Sequence, residues 1–138
     1  MLIRCIHVRK VAAQRPRVVV LELGANDGLR ALPITEMRGN LARMLTLSRQ
    51  SDRQVLLLGI RMPPNYGPRF TSEFDQMYLD LARQHKVPVV PFFLERVALR
   101  ADLMQADGLH PNAAGQPLVL ENVWPALSRL LKKSSSQR

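Results

Sequence analysis

The chain has 138 residues, 46% hydrophobic and 22% charged, a composition that fits one globular domain with a modest core and is too short for two. No apolar run approaches the roughly 18 residues of a membrane span; Met1 to Val8 is broken by Arg4 and His7 and makes a poor signal peptide, and the single Cys5 excludes an internal disulfide framework or a thiolate zinc site. The net charge of +9 sits at the ends, +5 over residues 1–17 and +4 over residues 129–138, while the middle is neutral, so the basic segments read as solvated tails rather than as a specific nucleic-acid site.

Val18 to Leu23 is a short β-branched apolar run, which predicts a strand buried on both faces. Gly24 to Pro33, rich in Gly, Asn and Asp, predicts a loop, and a helix fits Ile34 to Gln50 with Ile34, Met37, Leu41 and Leu45 on one face. Val55 to Ile60 repeats the buried-strand pattern. The three prolines of Pro63 to Pro68 require a loop, and Phe70, Phe74, Met77 and Leu81 mark a second amphipathic helix ending near Lys86. Val87 to Val90 predicts a third strand, Leu94–Leu99 a short helix, and Asn112 is a suitable N-cap for a last helix running to about Leu131. Residues 1–17 thus form a basic leading segment, 18–131 the folded domain, and 132–138 a polar basic tail. Alternating strands and helices imply an α/β fold with a parallel sheet, whose ligand site lies beyond the carboxyl ends of the strands.

Two polar clusters fall at those ends. Asp107 and His110 are three residues apart in a turn made by Gly108 and stiffened by Pro111, a spacing that can bring a carboxylate to one imidazole nitrogen and leave the other as a general base. A plain turn with an exposed His110 has the same sequence. Asn26 follows a glycine-containing strand end, where its amide can face a developing oxyanion or close an Asx-turn; Asp27 is expected to serve that turn.

Together the clusters say more than either alone. Gly-x-Asn-Asp after a buried strand, with Asp-Gly-x-His-Pro-Asn before the last helix, resembles the SGNH (GDSL) hydrolase family, closest to its bacterial arylesterase, acyl-CoA thioesterase and lysophospholipase branch. Supporting stretches are Pro16-Arg17 before the first strand, Ile60 to Gly67, and Val89 to Phe93, and the resemblance covers roughly residues 10–131. It implies a three-layer α/β/α flavodoxin-like fold and hydrolysis of carboxylic esters or thioesters without metal or organic cofactor. It puts the oxyanion role on Asn26, the base on His110, its orienting partner on Asp107, and a substrate-binding loop on Asn65, Tyr66 and Gly67. The family's Gly-Asp-Ser block and second-block glycine are absent from this sequence, so the resemblance is to an N-terminally truncated member lacking the first two strands of the sheet. None of Ser48, Ser51, Ser72, Ser128 and Ser134 to Ser136 falls at a strand-to-helix turn, and Cys5 could replace the nucleophile only if the leading segment folds over the site. The chain is therefore expected to be a poor esterase, with a non-catalytic acyl-chain binding or interaction module, a truncated gene product, or an anion-surface binder acting through the tails as the other readings. Its partners are expected to be a small ester or thioester and, through the sheet edge left open, a second copy of itself. Periplasmic location is implied by the resemblance, cytoplasmic by the leading residues as written.

Overall fold

Three short apolar runs pair in parallel and fix the architecture. In the computed structural model, which describes residues 10–11 and 13–135, β1 (Val18–Leu21), β2 (Gln54–Leu58) and β3 (Val89–Val90) form a sheet in the order β1-β2-β3. Val18 lies opposite Gln54 and Leu21 opposite Leu57, while Leu57 and Leu58 lie opposite Val89 and Val90. β2 is the middle strand, and Val55 to Leu58 are all buried, as expected of an apolar run covered on both faces. β1 departs from that expectation. It stands at the edge of the sheet among the described residues, only Leu21 is fully buried, and Val20 is 42% exposed. An uninterrupted apolar run does not distinguish a central strand from an edge strand.

The helices are α1 (Ala25–Leu29), α2 (Ile34–Ser48), α3 (Pro68–His85) and α4 (Gln116–Ser135). α2 and α3 pack against each other, and α4 lies across all three strands. Met37, Leu41, Met44 and Leu45 from α2 and Phe74, Met77, Tyr78 and Leu81 from α3 fill one side of the core, with Val123 and Leu130 contributed by α4. The aromatic rings of α3 run in file, Phe70 to Phe74 at 6.1 Å and Phe74 to Tyr78 at 5.4 Å.

Several boundaries differ from the sequence reading, each for a local reason. The expected loop after β1 contains the helical turn α1, because Gly28 packs against Met62 and Phe74 and its amide reaches the carbonyl of Gly24 at 2.9 Å. α2 stops at Ser48 and is followed by a 3-10 turn, Gln50–Asp52, with Ser51 and Asp52 at positive φ. α3 starts two residues early, on Pro68, whose missing N–H is no loss at a helix start. Residues 94–99 are consecutive turns rather than a helix, since Arg96 and Leu99 take φ of 66° and 67°. α4 begins at Gln116. Asn112 instead closes the preceding turn, its Oδ1 accepting from the amides of Ala114 and Gly115 at 2.9 and 3.1 Å. The expectations placed on Met1 to Val8, including Cys5 as a substitute nucleophile, lie outside the described residues.

Two glycines give opposite expectations. Gly24 has φ of 116°, and a Cβ there would run into the Tyr78 hydroxyl, so Gly24→Ala is expected to destabilise the fold by about 2 kcal/mol or more. Gly39 lies within α2 with open space where its Cβ would be, so Gly39→Ala should stabilise by about 1 kcal/mol. Urea unfolding of both variants reads the contrast.

Candidate active site

The site is assembled at the carboxyl edge of the sheet from two loops far apart in sequence. The first leaves β1. Tyr78, buried in α3, donates its hydroxyl to the carbonyl of Leu23 at 2.9 Å, and Gly24 turns the chain so that α1 opens with Asn26 in its first turn. Asn26 is exposed, whereas Asp27 beside it is buried and its carbonyl accepts from the amide of Leu32 at 3.1 Å. Asn26 is thus presented to the surface by a turn whose other members face the core.

The second loop runs from Leu103 to Asn112 and is held by its own hydrogen bonds. Met104 bridges Pro111, Gln105 donates its amide to the carbonyl of His110 at 2.8 Å, and Gly108 closes the tip at φ of 65°. The Asn112 amide donates to the carbonyls of Asp102 and Met104 at 2.9 and 3.2 Å. Within this frame Asp107 Oδ2 lies 2.6 Å from His110 Nδ1, while Oδ1 accepts from the amides of Leu109 and His110 at 2.9 and 3.1 Å.

The electrostatics follow from that geometry. The hydrogen bond with His110, then those from the two amides, lower the Asp107 carboxyl to about 2. An ionised carboxylate only accepts, so Nδ1 carries the imidazole proton and Nε2 is left basic. The same hydrogen bond and the Asp107 charge raise His110 above its ordinary value, and Glu22 adds a smaller push. Glu22, directly after β1, has its own carboxyl raised by partial burial, with the His110 charge opposing the shift.

Asn26, His110 and Glu22 line one open cleft of about 840 Å³, whose other walls are largely apolar, with Ile60, Phe92, Leu109 and Leu120 among them. The structure therefore brings Asp107, His110 and Asn26 to one edge. It does not bring Asn65, Tyr66 and Gly67 into the cleft. The Tyr66 hydroxyl donates to the carbonyl of Leu29 at 2.8 Å and its ring stacks on Phe70 at 6.0 Å, while Gly67 opens α3. The same loop reaches the cleft through Arg61, Met62, Pro63 and Pro64. Arg61 is held there by Asp75 at 3.3 Å and lies over the Phe92 ring at 5.0 Å. Glu22 was missed because it reads as part of a strand; an acid ending an apolar run was the available signal. Among the described residues lining the cleft, none carries a hydroxyl or a thiol.

Comparison with known proteins gives the family. Residues 3–118 match the GDSL-like lipase/acylhydrolase family. Esterase TesA of Pseudomonas aeruginosa is 50% identical over 121 residues, which are 88% of this chain and 60% of that protein. Thioesterase 1/protease 1/lysophospholipase L1 of Escherichia coli K12 is 38% identical over 121 residues, 88% of this chain and 58% of that protein. A crystal structure of TesA superposes with a TM-score of 0.86 at 48% identity, covering 91% of this chain and 70% of that one. The chain thus spans about 60% of the length of the curated relatives it matches.

The Asp107–His110 pair sets a pH expectation. A proton NMR titration should place the His110 midpoint above 6.5, and Asp107→Asn should move it down. Because the His110 value is raised, its contribution to stability is complete below its ordinary range and disappears as pH rises through the shifted midpoint. The Asp107 contribution is complete above 3.8 and disappears as pH falls through about 2.

Proposed function

This chain belongs to the GDSL-like lipase/acylhydrolase family, with the α/β fold of the SGNH hydrolases, and on that premise we propose that its cleft acts on carboxylic esters or thioesters of small acyl compounds. The observation that carries the proposal is the 2.6 Å contact between Asp107 and His110 beside Asn26 in one apolar cleft. In this reading His110 Nε2 takes the proton of the attacking nucleophile and later returns it to the leaving group. Asp107 fixes the tautomer and stabilises the imidazolium. The Asn26 amide donates to the carbonyl oxygen as it gains negative charge, and the apolar walls take the acyl chain. The serine that forms the acyl intermediate in this type of mechanism is not among the described residues lining the cleft; acting by themselves, the residues that do line it would use water as the nucleophile. Direct attack by water, with His110 as base, is slower than acylation of an activated serine. The family resemblance implies a periplasmic setting, and no helix among the described residues is long and apolar enough to cross a membrane.

With p-nitrophenyl acetate the chain should turn over slowly, at least about a thousandfold below a full-length relative. The rate should rise with pH through the His110 titration, and His110→Ala should remove it; Asn26→Ala should lower it about a hundredfold. A rate unchanged in His110→Ala would overturn the assignment.

The largely apolar walls of the cleft also suit a second reading, an acyl-chain binding module that retains its ligand without hydrolysis. A fluorescent fatty acid displaced from the cleft by a tryptophan at Leu120, but indifferent to His110→Ala, would support binding over catalysis. We also propose that the open edge of β1, with Val20 exposed, pairs with a second copy of the chain. Sedimentation velocity should show concentration-dependent association that Val20→Lys reduces.

A further inference from the structure

Residues from near the two ends of the described chain meet in space. Arg17 donates from its guanidinium to the carbonyl of Ser134, 117 residues further along. Around that contact lies a second depression, of about 470 Å³, lined by Arg15, Arg17, Arg53, Asp52, Gln54 and Ser51 among others. Arg15 and Arg17 precede β1, Ser51 to Arg53 precede β2 and Gln54 opens it, so the depression lies at the amino edge of the sheet and shares no residue with the acyl cleft at the other end. Three cations line it, and the one carboxylate, Asp52, forms no ion pair with any of them.

Helix ends account for part of this cluster. α2 and α4 both finish here, and their last carbonyls carry partial negative charge. Arg53 donates from Nε to Ser48 and from Nη2 to Leu47, at 2.9 and 3.1 Å, and Arg17 caps α4 at Ser134. Capping does not account for Arg15, which donates to no described carbonyl, nor does it exhaust the other two. A guanidinium has five N–H donors, of which Arg53 uses two and Arg17 one. The caps also hold both groups in place, so little rotamer freedom is lost when the remaining donors engage a ligand.

We propose that this depression is a binding site for phosphate-type oxyanions, with Arg15, Arg17 and Arg53 in its lining as N–H donors and Gln54 and Ser51 completing a polar wall. The planar fork of a guanidinium matches a pair of phosphate oxygens. The lining carries an excess of two positive charges, which a dianion would neutralise. A fatty carboxylate suits it poorly because the walls are polar, in contrast to the cleft. The shared chemistry is a phosphate group, supplied either by a soluble phosphate compound or by an anionic lipid headgroup. The proposal is independent of the acyl-transfer reading.

The test uses the full chain and pyrophosphate at constant ionic strength. Wild type should show a saturable rise in Tm, as a ligand of the folded state produces. Arg15→Gln should weaken the midpoint about tenfold and leave Tm without anion unchanged, since Arg15 caps no described helix; Arg15→Glu should abolish the response. Co-sedimentation with phosphatidylglycerol and phosphatidylcholine vesicles separates the sources. Retention on the former alone, lost in Arg15→Glu, supports the headgroup, and pyrophosphate saturation without vesicle retention supports a soluble ligand. A Tm rise matched by sodium chloride, a response unchanged in Arg15→Glu, or no response to either probe would overturn the site.

Discussion

Burial of β2 on both faces is the constraint on which the rest of the molecule depends. Leu56 and Leu57 are fully buried, and a strand in that position needs a helix layer above and below it. α2 with α3 supplies one layer and α4 lies across the sheet to supply another. Covering a parallel sheet with helices forces every strand to run the same way, so the loops leaving β1 and β3 end at the same edge. The cleft is a consequence of that directionality. So is the opposite edge, where helices terminate and arginines gather around their carbonyls.

The two halves of the candidate site are built by different means. Asp107 and His110 are oriented within a ten-residue loop by hydrogen bonds between its own members, and the carboxylate is held by two amides of the same turn. That half is local chemistry. Asn26 depends on distant packing: Tyr78 holds the end of β1, Gly28 packs beneath Met62 and Phe74, and only then does the amide face the cleft. An aromatic file on α3 therefore supports a residue on α1, and Tyr66 extends the support by tying its hydroxyl to Leu29.

The charge distribution takes on a different meaning once the chain is folded. As a sequence, +5 at one end and +4 at the other look like two solvated tails. In the fold, Arg17 and Ser134 are in contact, and Arg15 and Arg17 line one depression at the amino edge together with Arg53 from the middle of the chain. Arginine is suited to that place because its fork can cap a helix and still present donors outward.

The sequence by itself determined the strand runs, the amphipathic faces of α2 and α3, and the Asp107–His110 pairing, because each depends on a period or spacing within a few residues. The pairing of Asn26 with that loop was legible only through the combined motif and its family resemblance. What the tertiary structure decided was everything set by contact across long separations. It left Val20 of β1 exposed at the edge that the missing first strands imply, where the apolar run by itself reads as covered on both faces. It closed a helical turn over Ala25–Leu29, where Gly and Asp read as a loop, because buried packing outweighs local preference. It tied the Tyr66 hydroxyl to Leu29 and put Glu22 into the cleft, because a side chain's contacts follow from the surface it meets, and no spacing along the chain specifies that surface.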